Sequence, residues 1–187
     1  MIKNEQKNKL RKQILAKRNQ LSEEYKNHAA EEILCKLRSH VCYQRATDLC
    51  LYVPIRNEVD LFQYAECFRE DGKRLYLPRV EGNTMDFYLY QPDTALVEGA
   101  YHILEPAGDI PFKPDPADSC LIVMPGAVFS KKMDRIGYGG GYYDRYLAKY
   151  PECITVAIAY AEQIVPEFDF PMEETDIQPD YLFYNHS

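Results

Sequence analysis

The feature that most constrains the fold is a set of short apolar segments that alternate with longer helical patterns. The clearest is Cys120–Met124, in which five apolar residues run without a break up to Pro125-Gly126. Asp48–Val53, Arg74–Leu77 and Cys153–Ala159 have similar strand-like patterns. Strands that are apolar on both faces are typical of parallel sheets covered by helices on each side. The sequence therefore predicts an α/β fold, with a mostly parallel sheet and helices on both faces in a Rossmann-like three-layer arrangement.

Helices are predicted between these segments. Residues 4–20 carry apolar side chains at helical spacing, and Ser22 is expected to cap a second helix that runs to about Ser39. Two more helices are expected at 60–70 and 139–150. The side chains expected to face inward from the second helix are Ala30, Ile33, Leu34 and Leu37.

Prolines and turn residues predict the remaining boundaries. Pro54 and Pro78 are expected to end the strands that precede them, because proline lacks the N–H that a sheet needs. Met85–Tyr90 and Asp180–Tyr184 are two further strand candidates. Residues 91–119 are rich in Pro, Gly and Asp, and this composition predicts a long surface excursion.

The 187 residues, 21.8 kDa in mass, fit a single domain spanning 1–187, and no repeat or linker composition divides them. The six cysteines form no C-x-x-C pair and no zinc-like spacing. Cys50, Cys120 and Cys153 lie in apolar runs and are expected to be buried thiols, so a reducing cytoplasm is the simplest location. The charged N-terminus does not resemble a signal peptide, and no apolar stretch approaches the ~20 residues that span a bilayer.

The formal net charge of −7 is unevenly distributed along the chain. Residues 1–18 carry seven Lys or Arg against one Glu, a net charge of +6, whereas residues 160–187 carry seven acidic side chains and no Lys or Arg. The overall negative charge argues against binding of nucleic acid, because the phosphates of nucleic acid repel an acidic protein. The two ends could bring a cation site and an anion site together, and two solvated ends explain the pattern equally well.

The segment richest in chemistry is Arg135-Ile-Gly-Tyr-Gly-Gly-Gly-Tyr-Tyr-Asp144. Glycines let backbone N–H groups converge on an anion, and a helix that begins there adds the positive end of its dipole. The spacing matches neither a Walker A loop nor the dinucleotide fingerprint, so the pattern predicts a phosphate site or else a plain tight loop. Flanking side chains favour the phosphate site: Lys131, Lys132 and Arg135 supply charge, Tyr138, Tyr142 and Tyr143 supply rings, and Asp144 can hold a metal.

A second candidate segment follows the strand that is expected to end at Val53. It places Arg56, Glu58 and Asp60 at the carboxyl end of a strand, where open parallel sheets bind ligands. Asp60 is explained more simply as the cap of the next helix, whereas Glu58 has no evident structural role.

The acidic tail contributes a possible metal ligand. Mg²⁺ prefers one or two carboxylates together with phosphate oxygens and water, a pattern that Asp144 with Asp176 or Asp180 would match. A solvated surface carboxylate is the alternative for either tail residue. The histidines and serines show no arrangement that predicts nucleophilic catalysis.

These segments together resemble the 5-formyltetrahydrofolate cyclo-ligase family, also called 5,10-methenyltetrahydrofolate synthetase. The block Arg135–Arg145 is the most specific match, and the other segments follow in the expected order over nearly the whole chain. They are Lys7-Asn-Lys-Leu-Arg11, Tyr52-Val-Pro-Ile-Arg-Asn-Glu-Val-Asp60, Leu77-Pro-Arg79, Glu105-Pro106 and Val123-Met-Pro-Gly126.

The resemblance implies a compact α/β domain that uses ATP and Mg²⁺ to convert 5-formyltetrahydrofolate into 5,10-methenyltetrahydrofolate, with release of ADP and phosphate. It implies magnesium binding by Asp144 and Asp176, and it assigns no residue as general acid or base. The implied ATP contacts are Lys7, Arg11, Arg135, Ile136, Gly137, Tyr138, Gly139, Gly140, Gly141, Tyr142 and Tyr143. The implied folate contacts are Val53, Glu58, Tyr138, Gly139, Gly140, Gly141 and Tyr142.

Two other functions remain open at the level of the residues. The first is another enzyme that uses ATP or a phosphosugar on a similar sheet, because a glycine-rich turn by itself indicates only that phosphate binds. A non-catalytic binder of folate or nucleotide is the other. The expected partners are a reduced folate and ATP, with no nucleic acid and no membrane, and the chain is expected to act as a monomer.

Overall fold

The computed structural model describes residues 2–114, 119–168 and 172–186. The helices are Ile2–Arg18 (α1), Glu23–Ser39 (α2), Val41–Arg45 (α3), Ala65–Glu70 (α4) and Tyr142–Lys149 (α5), with short 3₁₀ turns at Phe62–Tyr64, Ala100–His102 and Ala161–Gln163. The strands are Asp48–Cys50 (β1), Arg74–Glu81 (β2), Thr84–Leu89 (β3), Leu96–Glu98 (β4), Leu104–Pro106 (β5), Cys120–Met124 (β6), Val128–Ser130 (β7), Arg135–Ile136 (β8), Ile154–Ala159 (β9), Ile164–Val165 (β10) and Tyr181–Tyr184 (β11).

The central sheet has six strands in the order β11-β9-β6-β1-β2-β3. Every neighbouring pair is parallel except β2 and β3, which form an antiparallel hairpin. The continuously apolar β6 lies between β1 and β9, near the middle of the sheet, as its composition requires. The predicted α/β fold with a mostly parallel sheet is confirmed.

Helices cover both faces of this sheet. Along β1, Leu49 faces a core shared with α2, α3 and α4, and Cys50 faces a second core shared with α5. Alternation across the pleat thus divides each apolar strand between two hydrophobic layers. The three-layer prediction is confirmed. The Ser22 cap is confirmed as well, since its hydroxyl accepts the Tyr25 N–H at 3.2 Å. The predicted inward-facing residues of α2 are buried.

A second, three-stranded sheet, β10-β7-β8, has no counterpart in the sequence prediction. Its strands are two or three residues long, too short to show a periodic pattern. Ile14 of α1 packs on this sheet against Ala127, Val128 and Ile136. This contact holds the basic first helix against the glycine-rich segment.

Several predicted boundaries are wrong. Strand β2 continues through Pro78 to Glu81, because β1 pairs with only its first three residues and Pro78 interrupts no ladder on that side. Strand β1 ends at Cys50 rather than Val53, although the Leu51 N–H still bonds to the Tyr76 carbonyl at 2.9 Å. The region 91–119 contains the β4–β5 hairpin as well as loops, and 115–118 lie outside the described residues.

The helix expected at 60–70 begins as a 3₁₀ turn, where the Gln63 N–H bonds to Oδ1 of Asp60 at 3.1 Å. The helix expected at 139–150 begins at Tyr142, because Gly141 is left-handed at φ +63°. All six cysteines are free, and Cys50, Cys120 and Cys153 are buried as predicted. Within the described part of the chain, no helix has the length and apolarity needed to cross a membrane.

Candidate functional site

Three segments with unusual chemistry meet beside α1. They are the loop that follows β1, the Pro125-Gly126 turn after β6, and the glycine-rich connection from β8 to α5. The first two leave the carboxyl ends of neighbouring parallel strands, which is where open α/β sheets bind ligands.

The glycine-rich connection forms an open backbone turn at the start of α5. Gly139 and Gly141 have φ of +100° and +63°, a region that glycine enters without steric cost. Gly141 is the N-cap of α5, and no side chain caps the first N–H groups of the helix. A Cβ at Gly139 would meet nothing closer than the Arg11 guanidinium, at 3.9 Å. The turn therefore has the open backbone and the helix terminus of an anion site.

Cations of α1 and β8 make short hydrogen bonds in this region. The Arg11 Nε donates to the Gly137 carbonyl at 2.7 Å, and partial burial lowers the pKa of its guanidinium. Lys7 is buried, and its Nζ donates to Oδ2 of Asp176 at 2.6 Å. Arg135 is also buried, and its Nη2 donates to Oδ1 of Asp144 at 2.7 Å. Arg11 and Arg135 thus lie against the turn, and Lys7 is held by the acidic tail through Asp176.

The two predicted magnesium ligands lie on adjoining segments. The N–H of Ile177, directly after Asp176, donates to Oδ1 of Asp144 at 3.2 Å. Asp180 serves a different role, since its Oδ2 accepts from the Thr155 N–H at 2.7 Å and from the Thr155 hydroxyl at 2.8 Å. Within the described residues there is no group of three or more His, Cys, Asp or Glu that could hold a metal. A pair of carboxylates still fits Mg²⁺, which takes its remaining ligands from phosphate and water.

The buried Glu58 forms a hydrogen-bonded pair with the half-buried Tyr138 of the turn. The Tyr138 hydroxyl donates to Oε1 of Glu58 at 2.6 Å, and the Ile55 N–H donates to Oε2 at 2.9 Å. Burial raises the pKa of Glu58, an effect that the bonds from Tyr138 and Ile55 oppose. Burial, with the charge of Glu58, also raises the pKa of Tyr138. This pair presents a carboxylate beside an aromatic ring.

The loop that carries Glu58 is strained. Arg56 and Asn57 both have positive φ, 49° and 61°, which side-chain-bearing residues rarely adopt. Backbone strain of this kind persists only where the surrounding contacts hold it, and it clusters at functional sites. Val53, at the start of the loop, is half-buried against the core that contains α2.

Tyrosines line the outer part of the site. The Tyr142 hydroxyl lies 3.0 Å from that of the exposed Tyr101, and the two rings meet at 70°. Tyr143 packs edge-on against Phe87, burial raises the pKa of its phenol, and its buried hydroxyl has no partner among the described residues.

Some flanking residues named by sequence lie apart from the turn. Lys131 and Lys132 are exposed, and Lys132 pairs with Glu167. Leu61 is the N-cap of the next 3₁₀ turn, and the Asp60 carboxylate, one residue earlier, accepts the Gln63 N–H of that turn.

Sequence reasoning missed Arg18. Its side chain is 0% exposed and contacts all three segments of the site. A signal was available, because Lys7, Arg11, Ile14 and Arg18 are spaced by four, three and four residues and so share one face of α1.

Comparison with known proteins places this geometry in a family. A model of the "5-formyltetrahydrofolate cyclo-ligase family" matches residues 3–185. A 5-formyltetrahydrofolate cyclo-ligase of Mycoplasma pneumoniae is 32% identical over 179 residues, which cover 94% of this chain and 96% of the relative. A probable 5-formyltetrahydrofolate cyclo-ligase of Schizosaccharomyces pombe is 30% identical over 154 residues, covering 75% and 76%.

Solved structures agree with the sequence relatives. A 5,10-methenyltetrahydrofolate synthetase of Aquifex aeolicus superimposes with a TM-score of 0.79 at 35% identity, covering 95% of this chain and 89% of that one. The enzyme of that name from Mycoplasma pneumoniae gives a TM-score of 0.73 at 30% identity, covering 94% and 96%. The family model spans nearly all the described residues, and the solved structures share their fold; the chain belongs to the 5-formyltetrahydrofolate cyclo-ligase family.

Proposed function

We propose that this protein uses ATP and Mg²⁺ to close 5-formyltetrahydrofolate into 5,10-methenyltetrahydrofolate, with release of ADP and phosphate. One observation carries the proposal. The Gly137 carbonyl accepts a hydrogen bond from Arg11, and the next residue, Tyr138, donates to Glu58. Residues suited to phosphate and residues suited to a flat polar ring therefore meet within a single dipeptide of the glycine-rich turn.

The ATP side consists of the turn and the cations around it. The turn from Arg135 to Tyr143 offers backbone N–H groups to the phosphates, and Lys7, Arg11 and Arg135 neutralise their charge. In the structure these three cations bond to Asp176, to the Gly137 carbonyl and to Asp144, respectively. We expect phosphate oxygens to replace these partners when ATP binds.

Asp144 and Asp176 are the proposed magnesium ligands. Mg²⁺ bound with the nucleotide supplies charge neutralisation at the phosphates. The lysine and arginine that now pair with these carboxylates would then be free to contact ATP.

The folate side consists of Val53, Glu58 and the stretch Tyr138–Tyr142. A pterin has flat faces and a polar edge that donates hydrogen bonds. The apolar side chain of Val53 and the tyrosine rings suit its faces, and the Glu58 carboxylate suits its N–H donors.

The proposed reaction has two steps. The formyl oxygen attacks the γ-phosphorus of ATP, a new O–P bond forms, and the bond to ADP breaks. The N10 nitrogen then attacks the formyl carbon, its proton leaves, and the C–O bond breaks to release phosphate. Phosphoryl transfer requires alignment and charge neutralisation more than covalent help from the protein, which matches a site rich in backbone donors and cations.

A single assay tests the proposal. Protein, Mg·ATP and 5-formyltetrahydrofolate are mixed, and methenyl-folate absorbance and ADP are followed together. We expect both products in equal amounts and loss of turnover when EDTA removes the metal. ADP without methenyl-folate would indicate a different ATP-using enzyme, and folate binding without either product would indicate a binding protein. Either result would overturn the proposal.

A further inference from the structure

Arg18 is a buried cation with an unusual set of partners. It is the last residue of α1, and its side chain is 0% exposed. Its Nη2 donates to the Arg56 carbonyl at 2.7 Å and to the Tyr138 hydroxyl at 2.8 Å, and its Nη1 lies 3.4 Å from the Gly126 carbonyl. Its Nε has no partner within the described parts of the chain.

These three acceptors belong to the three segments that form the candidate site. Arg56 lies in the strained loop after β1, Gly126 in the turn after β6, and Tyr138 in the glycine-rich turn. A left-handed residue such as Arg56 needs neighbouring contacts to hold it. Arg18 supplies one such contact, at the backbone carbonyl of that residue.

Arg18 bonds directly to no carboxylate among the described residues; the Tyr138 hydroxyl lies between its guanidinium and Glu58. Among the residues that the structure describes, no ion pair joins Arg18 to Asp or Glu, and its hydrogen-bonded path to a carboxylate runs through Tyr138 to Glu58. Burying a cation without a direct counter-ion is unfavourable, and an apolar side chain would fill the same space at lower cost. The arginine therefore requires an explanation beyond packing.

We propose that Arg18 is a positioning residue of the folate site, which acts through the Tyr138 hydroxyl to orient the Glu58 carboxylate and keep it ionised. The inference rests on the proposed function, because it takes Glu58 to contact the folate. Arg18 itself touches no expected substrate atom.

The electrostatic surroundings of Glu58 support this role. Burial raises the pKa of Glu58, whereas the hydrogen bond from Tyr138 and the charges of Arg18 and Arg56 lower it. The phenols of Tyr52, Tyr143 and Tyr160 also lie in this region. Burial raises the pKa of each, and the charge of Glu58 raises that of Tyr52 and Tyr143 further. For Tyr160, the charge of Arg18 lowers the pKa, and the charges of Asp60, Glu23 and Glu58 raise it. Loss of Arg18 removes one of two nearby positive charges, so the pKa of Glu58 rises further and its carboxylate is lost at a higher pH.

Arg18→Met tests the inference, with Lys17→Met as its matched control. Lys17 is the neighbouring residue on α1, carries the same charge and is exposed. In R18M we expect the KM for 5-formyltetrahydrofolate to rise about tenfold or more, and to rise more steeply than in the wild type as the pH falls. The KM for ATP should change less than about twofold, and K17M should match the wild type in both constants.

A double-mutant cycle shows whether Arg18 acts through Glu58. If it does, R18M adds little to the folate KM of a Glu58→Gln variant, because the carboxylate that it holds is already gone. A purely structural role predicts additive effects, and it predicts that the KM for ATP rises as well, since Arg11 lies on the same helix. Either of those results would overturn the inference. Arg18→Lys keeps the charge but loses the planar fork, so it should fall between R18M and wild type, and it replaces R18M in the cycle if R18M does not fold.

A ligand-free measurement separates this inference from the proposed function. Carboxyl ¹³C NMR follows the titration of Glu58 in wild-type protein and in R18M or R18K. A Glu58 titration that moves to higher pH in R18M supports the role of Arg18. It does so even if the wild type shows no turnover, because absence of turnover contradicts only the proposed function. A titration that does not move would overturn the inference even in an active enzyme.

Discussion

The Lys7 ammonium donates a 2.6 Å hydrogen bond to Oδ2 of Asp176, a residue 169 positions further along the chain. The basic start of the sequence and its acidic tail therefore meet at one point. The two side chains are only 10% and 21% exposed, so water screens their attraction less than at an open surface. The pair also lies near α5, because the N–H of Ile177, the residue after Asp176, donates to Oδ1 of Asp144.

Lys7→Met should weaken ATP binding selectively. The variant removes a proposed charged donor to phosphate, worth about 1.5–3 kcal/mol, so we expect the KM for ATP to rise about tenfold or more. The KM for folate should stay within about twofold. Steady-state kinetics with each substrate varied in turn provides the measurement. Lys12→Met on the exposed side of α1 is the control, and equal effects of the two variants would contradict the prediction.

Asp144→Asn should lower both turnover and stability. The carboxylate is a proposed magnesium ligand and also the partner of Arg135, whose side chain is only 6% exposed. We expect turnover to fall about 100-fold and to need more Mg²⁺, because one anionic ligand is lost. The free energy of unfolding should fall by about 1–3 kcal/mol, because the buried guanidinium loses its carboxylate.

Turnover against Mg²⁺ concentration and chemical denaturation check the Asp144 prediction. Glu152→Gln, an exposed acidic residue on the chain after α5, is the control. Wild-type turnover with an unchanged Mg²⁺ requirement in D144N would remove Asp144 from the proposed metal site.

Gly139→Ala should impair ATP binding beyond its cost in backbone strain. Gly139 has φ +100°, and an alanine there adds a methyl group to the turn beside Arg11. Gly72→Ala is a matched control, since Gly72 has φ +80°, lies in the surface turn after α4 and has open space around its missing Cβ. Both variants should lose about 1–2 kcal/mol of stability. Only G139A should raise the KM for ATP, and an unchanged KM would argue against an anion site at this turn.

The Arg38–Asp71 pair predicts a specific pH dependence of stability. Arg38 bonds to both oxygens of Asp71, and Tyr43 donates to Oδ2 at 2.6 Å. These bonds lower the pKa of Asp71 from its ordinary 3.8, so its contribution to stability is present above about pH 4 and is lost as the pH falls through the folded-state value. Asp71→Asn should therefore lower the melting temperature more at pH 7 than near pH 2. An equal deficit at both pH values would contradict this assignment.

Local signals predicted the parts of the fold whose residues interact with near neighbours. Ser22 caps α2 because its hydroxyl reaches an N–H three residues away, and Cys120–Met124 forms a central strand because its five side chains are all apolar. The left-handed conformation of Arg56 had no such signal, since arginine rarely adopts it. Distant contacts, including the bond from Arg18 to the Arg56 carbonyl, hold that loop.

The sequence by itself determined the fold class and the family to which its motifs point, because each depends on residue type and spacing along the chain. Tertiary structure decided which tail carboxylate adjoins Asp144. Asp176 adjoins it, because the N–H of the next residue, Ile177, donates to Asp144, whereas the Asp180 carboxylate accepts from the Thr155 hydroxyl. It also brought Arg18 to Tyr138 and Glu58. These partners are tens of residues apart, so only the packing of α1 on the second sheet, and of the tail beside α5, brings them within hydrogen-bonding distance.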